Sequence, residues 1–397
     1  MTTSRCRSRH RLDDGPRARH AGAAPVSACP AYDCAVVGGG VMGCTTALWL
    51  ARAGMRVVLL DRGSLCREAS GVNAGTLTMQ MTRAALIPYA MRGWELWRTT
   101  ADWLGMDVGT RVLDGLSVAY TEAEVGMLEA RASSRRAAGA PVELVDAARA
   151  RDIEPGLGDG VRLAGFCPVD GFVVAYLTGR AYRGALLAAG ATLQEGRAVT
   201  GIDPVDGGFA LGTADGGRVE ARRVVLAGGV WIQEMASWLG VRLPIQCLVN
   251  QLVVTERLPP VMRTILGVAN GKLSLKQFDN GTVLVGGGWQ GIGRGDPRDG
   301  GAEIVPENVI GNLQLAVHAV PRLRDARVLR VWLGYEAETA DAMPVVGRLP
   351  GFDDAWVIGS VHSGYTSGPY IGRLLADAIL ERELERPLFD PGRLAGR

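Results

Sequence analysis

The sequence predicts an α/β fold, built on a parallel nucleotide-binding sheet, together with an α+β region inserted into it. Residues 33–61 have the pattern of a strand, a glycine-rich turn, a helix and a second strand. Residues 222–229 and 355–359 are short apolar runs that end in glycine, as expected of buried strands of the same sheet. Residues 245–290 are instead a succession of strand patterns. A chain of 397 residues is long enough for two cores, so we predict two domains, of which the first is discontinuous.

The first element is a βαβ unit with the glycine spacing of a dinucleotide-binding turn. Gly38 permits a tight turn, Gly40 lets the backbone approach a pyrophosphate, and Gly43 lets the helix lie close to the strand. The helix N-terminus offers N–H groups and a positive dipole end to the phosphates. Asp61 ends the second strand, where a carboxylate can accept hydrogen bonds from an adenosine ribose. We therefore predict a dinucleotide site here.

Residues 286–291 repeat the same glycine spacing and also follow a strand pattern, at residues 282–285. The residues after them are rich in glycine, aspartate and proline, which cannot begin a helix. We therefore interpret this second match as a glycine-rich strand end and predict a single dinucleotide site.

The composition is that of an ordinary globular protein and excludes several classes. Hydrophobic residues make up 47% of the chain and charged residues 21%, and the formal charge is +2, which gives no reason to expect nucleic-acid binding. No apolar run is long enough to cross a bilayer. Seven cysteines without close pairs indicate reduced thiols in a cytoplasmic protein, and no metal-ligand cluster is expected. Lysine occurs only at Lys272 and Lys276.

The remaining patterns predict the domain organisation. A tryptophan-rich helix is expected over residues 84–104, an irregular segment over 332–347, and a glycine and serine loop over 359–368 before a last helix at 370–384. The predicted parts are a disordered arginine-rich leader at residues 1–31, a nucleotide-binding domain at 32–88, 148–236 and 328–386, a substrate domain at 89–147 and 237–327, and a tail at 387–397.

These segments, in this order, resemble the flavoprotein family of D-amino-acid oxidase, glycine oxidase and sarcosine oxidase over about residues 32–386. The resemblance is carried by residues 38–61, 69–75, 170–171, 224–229 and 332–347. It implies a Rossmann-like FAD-binding domain with a discontinuous substrate domain built on an antiparallel sheet. FAD would be extended, with its pyrophosphate at the first helix and its pyrimidine edge near the start of the last. The implied FAD contacts are Gly38, Gly40, Val41, Met42, Gly43, Asp61, Arg62, Ser70, Asn73, Ala74, Gly75, Val199, Ala227, Gly228, Gly334, Gly364, Tyr365 and Thr366.

The family resemblance also implies a reaction. A hydride would pass from the carbon next to nitrogen in a small amine or amino acid, of the sarcosine, glycine, D-amino-acid or proline type, to flavin N5. The resulting imine would be hydrolysed. The candidate catalytic residues are Tyr335, Glu336 and His362, and the candidate substrate-pocket residues are Gln251 and Trp289. Each candidate also has a structural alternative. The aromatic residues could be packing residues, Glu336 could form hydrogen bonds to the main chain, and His362 could cap its loop.

Three features of the sequence differ from patterns found in particular members of this family. Glu336 stands where the glycine and D-amino-acid oxidases have an arginine that holds the substrate carboxylate, as in the branch of sarcosine oxidase β-subunits, dimethylglycine dehydrogenase and dye-linked proline dehydrogenase. Either another residue binds a carboxylate, or that end of the substrate is cationic or neutral. Residues 332–347 contain no cysteine and residues 67–75 no histidine, so FAD is expected to be held non-covalently. Leu284 stands where monomeric sarcosine oxidases have an oxygen-activating lysine.

Three alternatives follow from these observations. The first is a dehydrogenase of the same fold that passes electrons to a protein or quinone instead of oxygen, which Leu284 favours. The second is an NAD-binding dehydrogenase without flavin, because Asp61 fits either dinucleotide. The third is a non-catalytic flavin-binding subunit. The expected partners are a small amine or amino-acid substrate, an electron acceptor and a possible partner subunit.

Overall fold

The computed structural model of the chain describes residues 30–293, 301–359 and 364–394. Most of the predicted leader and the candidate catalytic residue His362 lie outside these residues. The strands, in chain order, are β1 (Tyr32–Val37), β2 (Val57–Asp61), β3 (Thr76–Leu77), β4 (Arg111–Ala119), β5 (Glu143–Asp146), β6 (Leu163–Phe172), β7 (Thr192–Glu195), β8 (Val199–Val205), β9 (Gly208–Thr213), β10 (Arg218–Leu226), β11 (Gln246–Arg257), β12 (Ile265–Val268), β13 (Ser274–Gln277), β14 (Thr282–Gly286), β15 (Ile292–Gly293), β16 (Ala302–Glu303), β17 (Val328–Glu338), β18 (Val345–Arg348) and β19 (Ala355–Gly359). The α-helices are α1 (Val41–Arg52), α2 (Ile87–Arg98), α3 (Thr100–Leu104), α4 (Glu122–Ala137), α5 (Ala147–Ile153), α6 (Ala175–Ala188), α7 (Ile232–Trp238), α8 (Pro306–Ala319) and α9 (Gly364–Ile379).

The first sheet is the predicted nucleotide-binding sheet, with the strand order β18-β19-β10-β1-β2-β7. Strand β1 pairs in parallel with β2 and β10, so that Val36 lies between Leu59 and Val225. Both faces of β1 are covered, since Val36 belongs to the core beneath α1 and α9 while Val37 belongs to the core on the opposite face. This arrangement confirms the predicted α/β part of the fold.

The second sheet is largely antiparallel and has the order β17-β11-β14-β13-β12-β4-β6-β3, with β5 paired to β6. One face packs against α5 and α8 through residues such as Leu266, Val253 and Ala316. The opposite face of this sheet borders a large cavity. The register of the neighbouring strands places Ser117, Gly267 and Asn250 on that face. The predicted combination of a Rossmann-like domain with an antiparallel-sheet domain is therefore correct.

The strand pairing differs from the predicted domain boundaries at two places. We expected residues 148–236 and 328–386 to belong wholly to the nucleotide-binding domain, yet β6 and β17 lie in the second sheet. Strand β6 forms a long ladder with β4, and β17 is paired to β11 along most of its length. Residues 332–338, which we expected to be irregular, are thus regular strand. Their alternating side chains fit a pleated surface that borders both domains.

The tryptophan-rich segment also differs from its prediction, because it is not one helix. A 3₁₀ turn at Ala84–Leu86 leads into α2, which ends at Arg98, and α3 follows after Thr99. Helix α2 lies very close to the start of α9: a Cβ added to Gly93 would overlap the carbonyl oxygen of Thr366. Gly93 therefore allows the two helices to approach at the place where the second half of the site is built.

Helix α9 begins at Gly364 rather than at residue 370, and it ends at Ile379 rather than at residue 384. We expected Pro369 to precede the helix, but it lies inside it. Proline has no N–H to donate to the carbonyl four residues earlier, which here belongs to Tyr365. The indole N–H of Trp97 donates to that carbonyl at 2.8 Å, and the ring of Trp97 stacks on the ring of Tyr365. Trp97 thus replaces the hydrogen bond that Pro369 removes.

Replacing Trp97 with phenylalanine should lower the free energy of unfolding by about 1–3 kcal/mol, the cost of leaving a buried acceptor without a donor. The stacked ring is retained, so most of the effect should come from the hydrogen bond. Trp49→Phe is the matched control, because the buried indole nitrogen of Trp49 has no hydrogen-bond partner among the described residues. Chemical denaturation of both variants measures the difference, and equal destabilisation by the two changes would contradict the role given to Trp97.

Candidate functional site

The glycine turn between β1 and α1 has two glycines that the protein itself requires. Gly38 has a φ of +114°, which side-chain-bearing residues rarely adopt, and a Cβ there would overlap the Ala227 carbonyl. A Cβ on Gly43 would overlap the carbonyl of Gly38. These contacts hold α1 and the start of the loop after β10 tightly against β1, as the predicted roles of the two glycines require.

Gly40 differs from these two glycines, because no close contact with the described backbone requires a glycine at this position. Its φ of −71° is open to any residue, and the nearest atom to an added Cβ is the Ser70 hydroxyl at 3.4 Å. The space beside Gly40 belongs to the large cavity. Gly40 is also the N-cap of α1, whose first N–H groups have no intrahelical acceptor. A glycine that the fold does not need, at a helix N-terminus facing a cavity, fits the approach of a pyrophosphate.

Side chains around the turn hold it in this shape. Asp61 accepts hydrogen bonds from the N–H groups of Gly39 at 2.6 Å and Gly63 at 2.7 Å. Burial raises the pKa of this carboxyl, although both hydrogen bonds oppose that effect. The Ser70 hydroxyl accepts from the Val41 N–H at 3.1 Å. Asp61 therefore organises the glycine turn in addition to facing the cavity, where the ribose was expected.

The second half of the site is assembled around the loop at residues 70–76. The indole N–H of Trp332 donates to the Val72 carbonyl at 2.9 Å, and an added Cβ on Gly334 would press on the Val72 side chain. Asn73 accepts from the Gly75 N–H at 2.8 Å and closes a turn. The Thr366 hydroxyl lies 3.4 Å from the Thr76 carbonyl. Strand β17, this loop and the first turn of α9 therefore meet.

One cavity of about 1350 Å³ joins these parts. It exceeds the roughly 300–1,000 Å³ usual for a single small-molecule pocket, so it has room for more than one molecule. The predicted FAD contacts that line it are Gly38, Gly40, Val41, Met42, Gly43, Asp61, Arg62, Ser70, Asn73, Ala74, Val199, Ala227, Gly228, Gly334, Gly364, Tyr365 and Thr366. Gly75 is not in the lining; its φ of +68° and its closeness to the Val173 carbonyl account for it as a turn residue.

Of the candidate catalytic residues, Tyr335 and Glu336 line the cavity on different faces of β17. The Tyr335 ring packs edge-to-face on Trp231, with centroids 6.1 Å apart, and the Arg62 guanidinium lies 3.7 Å from the centroid of the Trp231 ring. Burial raises the pKa of Tyr335. Glu336 lies on the same face of the sheet as Gly334 and Asn250, and it accepts a hydrogen bond from the Asn250 amide. Glu336 is therefore better placed to meet a substrate than Tyr335.

The two candidate substrate-pocket residues are held by the protein. The Gln251 side chain donates to the Gln290 carbonyl at 3.2 Å and accepts from the Val305 N–H at 2.8 Å. Trp289 donates to the Lys272 carbonyl at 2.8 Å, and its ring lies against Gly311. Gln251 lines the cavity but Trp289 does not. Their bonding favours structural roles, and Asn250, which the sequence analysis did not select, lies at the better position.

Asp170 anchors the segment after the loop. Its carboxylate accepts from the Thr78 hydroxyl at 2.7 Å and the Met79 N–H at 2.8 Å. Burial raises the pKa of this carboxyl to about 6. Gly115 on the neighbouring strand has no room for a side chain, because Asp170 occupies the space. Asp170, which belongs to the Asp170–Gly171 pair used as a family feature, thus holds the segment after β3 against β6.

Lys276 is a buried amine that the sequence analysis did not assign. It lies on β13 directly opposite Leu284, on the same face of the sheet. The residue is 2% exposed, and its ammonium donates to the Thr76 hydroxyl at 2.5 Å. Burial lowers the pKa of Lys276 to about 7. Because Thr76 lines the cavity, this lysine lies one side chain behind the wall of the cavity. Its position inside a strand, in a chain almost without lysine, was the available signal.

The described residues also exclude some other kinds of site. Residues 30–293, 301–359 and 364–394 contain no group of histidine, cysteine, aspartate and glutamate that could hold a metal ion. None of the helices found in those ranges has the length and apolar character needed to cross a membrane.

The sequence and structure comparisons agree with this geometry. Residues 33–378 match the model of the family described as FAD dependent oxidoreductase, so the chain belongs to this family. It is 29% identical over 361 residues to a glycine oxidase of Geobacillus kaustophilus, covering 89% of this chain and 94% of that protein. It is 28% identical over 371 residues to a subunit of the opine oxidase of Rhizobium meliloti, covering 90% and 95% of the two chains.

The solved structures lead to the same conclusion. The crystal structure of the Geobacillus kaustophilus glycine oxidase superposes with a TM-score of 0.83 at 27% identity, over 92% of this chain and 99% of that one. The family membership confirms an FAD-dependent enzyme. Gly40, the N-terminus of α1 and the cavity of about 1350 Å³ are the features of this chain that fit the cofactor.

Proposed function

We propose that this protein oxidises the C–N bond of a small amine or amino acid, which binds between the FAD ring and the polar face of the second sheet. The continuity of the cavity is the observation that carries the proposal. It runs from the glycine turn, past the loop at residues 70–76, to Asn250 and Glu336. The names of the similar proteins, glycine oxidase and opine oxidase, support an amine bearing a carboxylate as the substrate class.

The residues would share the work as follows. The turn at Gly40 and the N-terminus of α1 would bind the pyrophosphate, and the start of α9 would lie near the ring. FAD, when bound, supplies the acceptor for a hydride from the substrate carbon. We propose that FAD is held non-covalently, because residues 67–75 contain no histidine and residues 332–347 no cysteine. The protein needs to bind, orient and exclude water.

Glu336 is the proposed partner of the substrate nitrogen. It faces the cavity and is positioned by the Asn250 amide, and a carboxylate suits an amine rather than another carboxylate. The substrate loses a hydride from carbon and a proton from nitrogen, which passes to solvent, and the resulting imine is hydrolysed by water. Only the neutral amine has the lone pair that this step requires, so the amine must give up its extra proton on binding.

We further propose that the electrons leave for a protein or quinone acceptor rather than for oxygen. Leu284 gives β14 an apolar side chain on the cavity side, and the amine of the opposing Lys276 is directed to Thr76. One of the similar proteins is named as a subunit of an opine oxidase. This similarity supports a partner chain that could receive the electrons. Slow reoxidation of the reduced flavin in air would agree with this acceptor, while reoxidation within the turnover time would contradict it.

The function is tested by spectroscopy of the purified protein. We expect the absorption spectrum of an oxidised flavin, which should bleach anaerobically with at least one member of a panel of amino acids, N-methyl amino acids and N-carboxyalkyl amino acids. A colourless protein that binds NAD would instead support the nicotinamide alternative. A yellow protein that no amine reduces would support a non-catalytic flavin-binding subunit.

A further inference from the structure

The cavity continues beyond the candidate catalytic residues to a second polar region, which the proposed function does not use. Here the wall comes from α4, from β4 and β12, and from the segment that follows the loop at residues 70–76. The polar, cationic or small residues of this wall are Gln80, Ser117, Arg131, Ser134, Arg135 and Gly267.

Arg135 is the unusual member of this region, because it is a buried cation without an ion pair. The residue is only 9% exposed, and its Nε donates to the Thr82 carbonyl at 2.9 Å. Within the described parts of the chain, no carboxylate oxygen lies within 4 Å of its guanidinium, whereas many other arginines of these parts are paired with a carboxylate. Arginine is almost never buried unless it is paired with an anion.

The nearby carboxylate of Asp170 does not serve as the anionic partner of Arg135. Asp170 interacts electrostatically with Arg135, but its carboxylate is held by Thr78 and Met79. Burial lowers the pKa of Arg135 to about 10, with the neighbouring Arg131 acting in the same direction and Asp170 against it. The guanidinium therefore remains charged at neutral pH and desolvated.

Arg131 increases the positive charge of the same region. It lies one turn before Arg135 on α4, where two like charges disfavour the helix. Arg131 donates to the Ala269 carbonyl, and it is exposed together with Ser134. This end of the cavity therefore meets solvent, and two guanidinium groups are available to attract an anion that enters there.

We propose that Arg135, assisted by Arg131, binds a carboxylate of the substrate at the end of the cavity remote from the flavin ring. This inference rests on the proposed oxidation of an amine and names the substrate class more closely. A planar guanidinium can donate two parallel hydrogen bonds to a carboxylate. Arg135 would therefore bind the substrate carboxylate, which the glutamate at position 336 cannot do.

The position of this subsite sets the shape of the substrate. Thr76 and Thr78 line the cavity, and along the chain they lead from the loop that would hold the flavin ring to Thr82, to which Arg135 is bonded. A carboxylate attached directly to the reacting carbon would not extend along that path. The substrate is therefore an amine whose chain ends in an acid group several atoms from the C–N bond, such as an amino acid with a second carboxylate.

The test compares two probes that differ only at the remote group, N-methylglutamate and N-methylglutamine, in both enantiomers. The flavin of the holoenzyme is titrated anaerobically with each probe. We expect half-maximal reduction at a concentration of the acid that is about 10- to 100-fold lower than that of the amide. Arg135→Met should abolish this preference, because it should weaken reduction by the acid far more than reduction by the amide, and Arg135→Lys should retain part of the preference. A purely structural role would weaken both probes equally.

Arg136→Met is the matched control, because Arg136 is the exposed neighbour of Arg135 on the same helix. It should keep the full preference for the acid. No preference in the wild-type enzyme, or an unchanged preference in Arg135→Met, would overturn the inference.

Failure of the proposed function is recognised separately. If neither probe reduces the flavin, the binding of glutarate and of its monoamide is measured instead, through the change that each causes in the flavin absorption spectrum. Tighter binding of glutarate that depends on Arg135 would then support the subsite alone, while equal binding of the two compounds would overturn it.

Discussion

Gly40→Leu is expected to give a folded protein that has lost its yellow colour. The φ of this residue suits any amino acid, and among the described residues the Ser70 hydroxyl is the only group within 4 Å of an added Cβ. The new side chain would instead fill the place where the pyrophosphate approaches the N-terminus of α1. We expect the affinity for FAD to fall on the order of a hundred-fold or more, equivalent to about 3 kcal/mol. The flavin content after gel filtration measures it, alongside the circular dichroism spectrum.

The control is Gly184→Leu on α6, where an added Cβ has no neighbour within 4 Å. This variant should keep both its fold and its colour. A Gly40→Leu protein that retains stoichiometric FAD would show that the pyrophosphate does not lie at this turn. An unfolded Gly40→Leu protein would mean that the backbone tolerates less here than its φ indicates.

Lys276→Met is expected to change how stability depends on pH. The Lys276 amine has a pKa of 10.5 when unfolded, and burial lowers that pKa to about 7 in the folded protein. Between these two values the unfolded chain binds more protons, so wild-type stability should rise with pH by about 1.4 kcal/mol per pH unit from this group. Below pH 7 both states are protonated, and the contribution to the slope disappears. The variant should therefore be more stable than the wild type at pH 7, and the gap should narrow towards pH 10.

Lys272→Met provides the control, because Lys272 is exposed and is the only other lysine of the chain. The free energy of unfolding is measured from pH 6 to pH 10 for the wild type and both variants. Since other groups titrate in this range, the difference between the wild type and each variant is the quantity compared. Parallel curves for the wild type and Lys276→Met would contradict a neutral or easily deprotonated Lys276.

Much of the nucleotide-binding half is encoded locally, and the sequence analysis found it for that reason. The strand, turn, helix and second strand at residues 33–61 lie within one contiguous segment, and each glycine has a distinct local task. The buried strands β10 and β19 lie in the sheet of β1, as predicted, with β10 paired to β1 and β19 paired to β10. Here propensity, pattern and tertiary contact all favour the same structure.

The parts that sequence analysis missed depend on contacts between distant segments. Helix α9 includes Pro369 because Trp97, far away in the chain, supplies the missing hydrogen bond to Tyr365. No local rule contains that contact, so a proline was interpreted as a helix boundary. Residues 332–338 were expected to be irregular for a similar reason, since β17 and its partner β11 are distant in the chain and their pairing can be recognised only when both strands are placed.

The same limit applies to the candidate site. Glu336 was chosen because of its alignment with a family motif, and it does border the cavity. Trp289 was chosen as an aromatic residue after a strand, but a tryptophan fits a packing site equally well, and the structure shows it on Gly311. The burial of Arg135 and Lys276 is seen only in the structure, where neither forms an ion pair with a carboxylate of the described residues.

The alternation of the chain between its two sheets has a consequence for how the molecule loses its structure. The polypeptide passes from the first sheet to the second and back again, twice, before it ends. Neither sheet can be excised as a continuous fragment, so truncation at any crossing should yield aggregation-prone pieces rather than a working half. Heating should accordingly produce a single transition, and bound flavin should be released in the same temperature interval in which both layers melt.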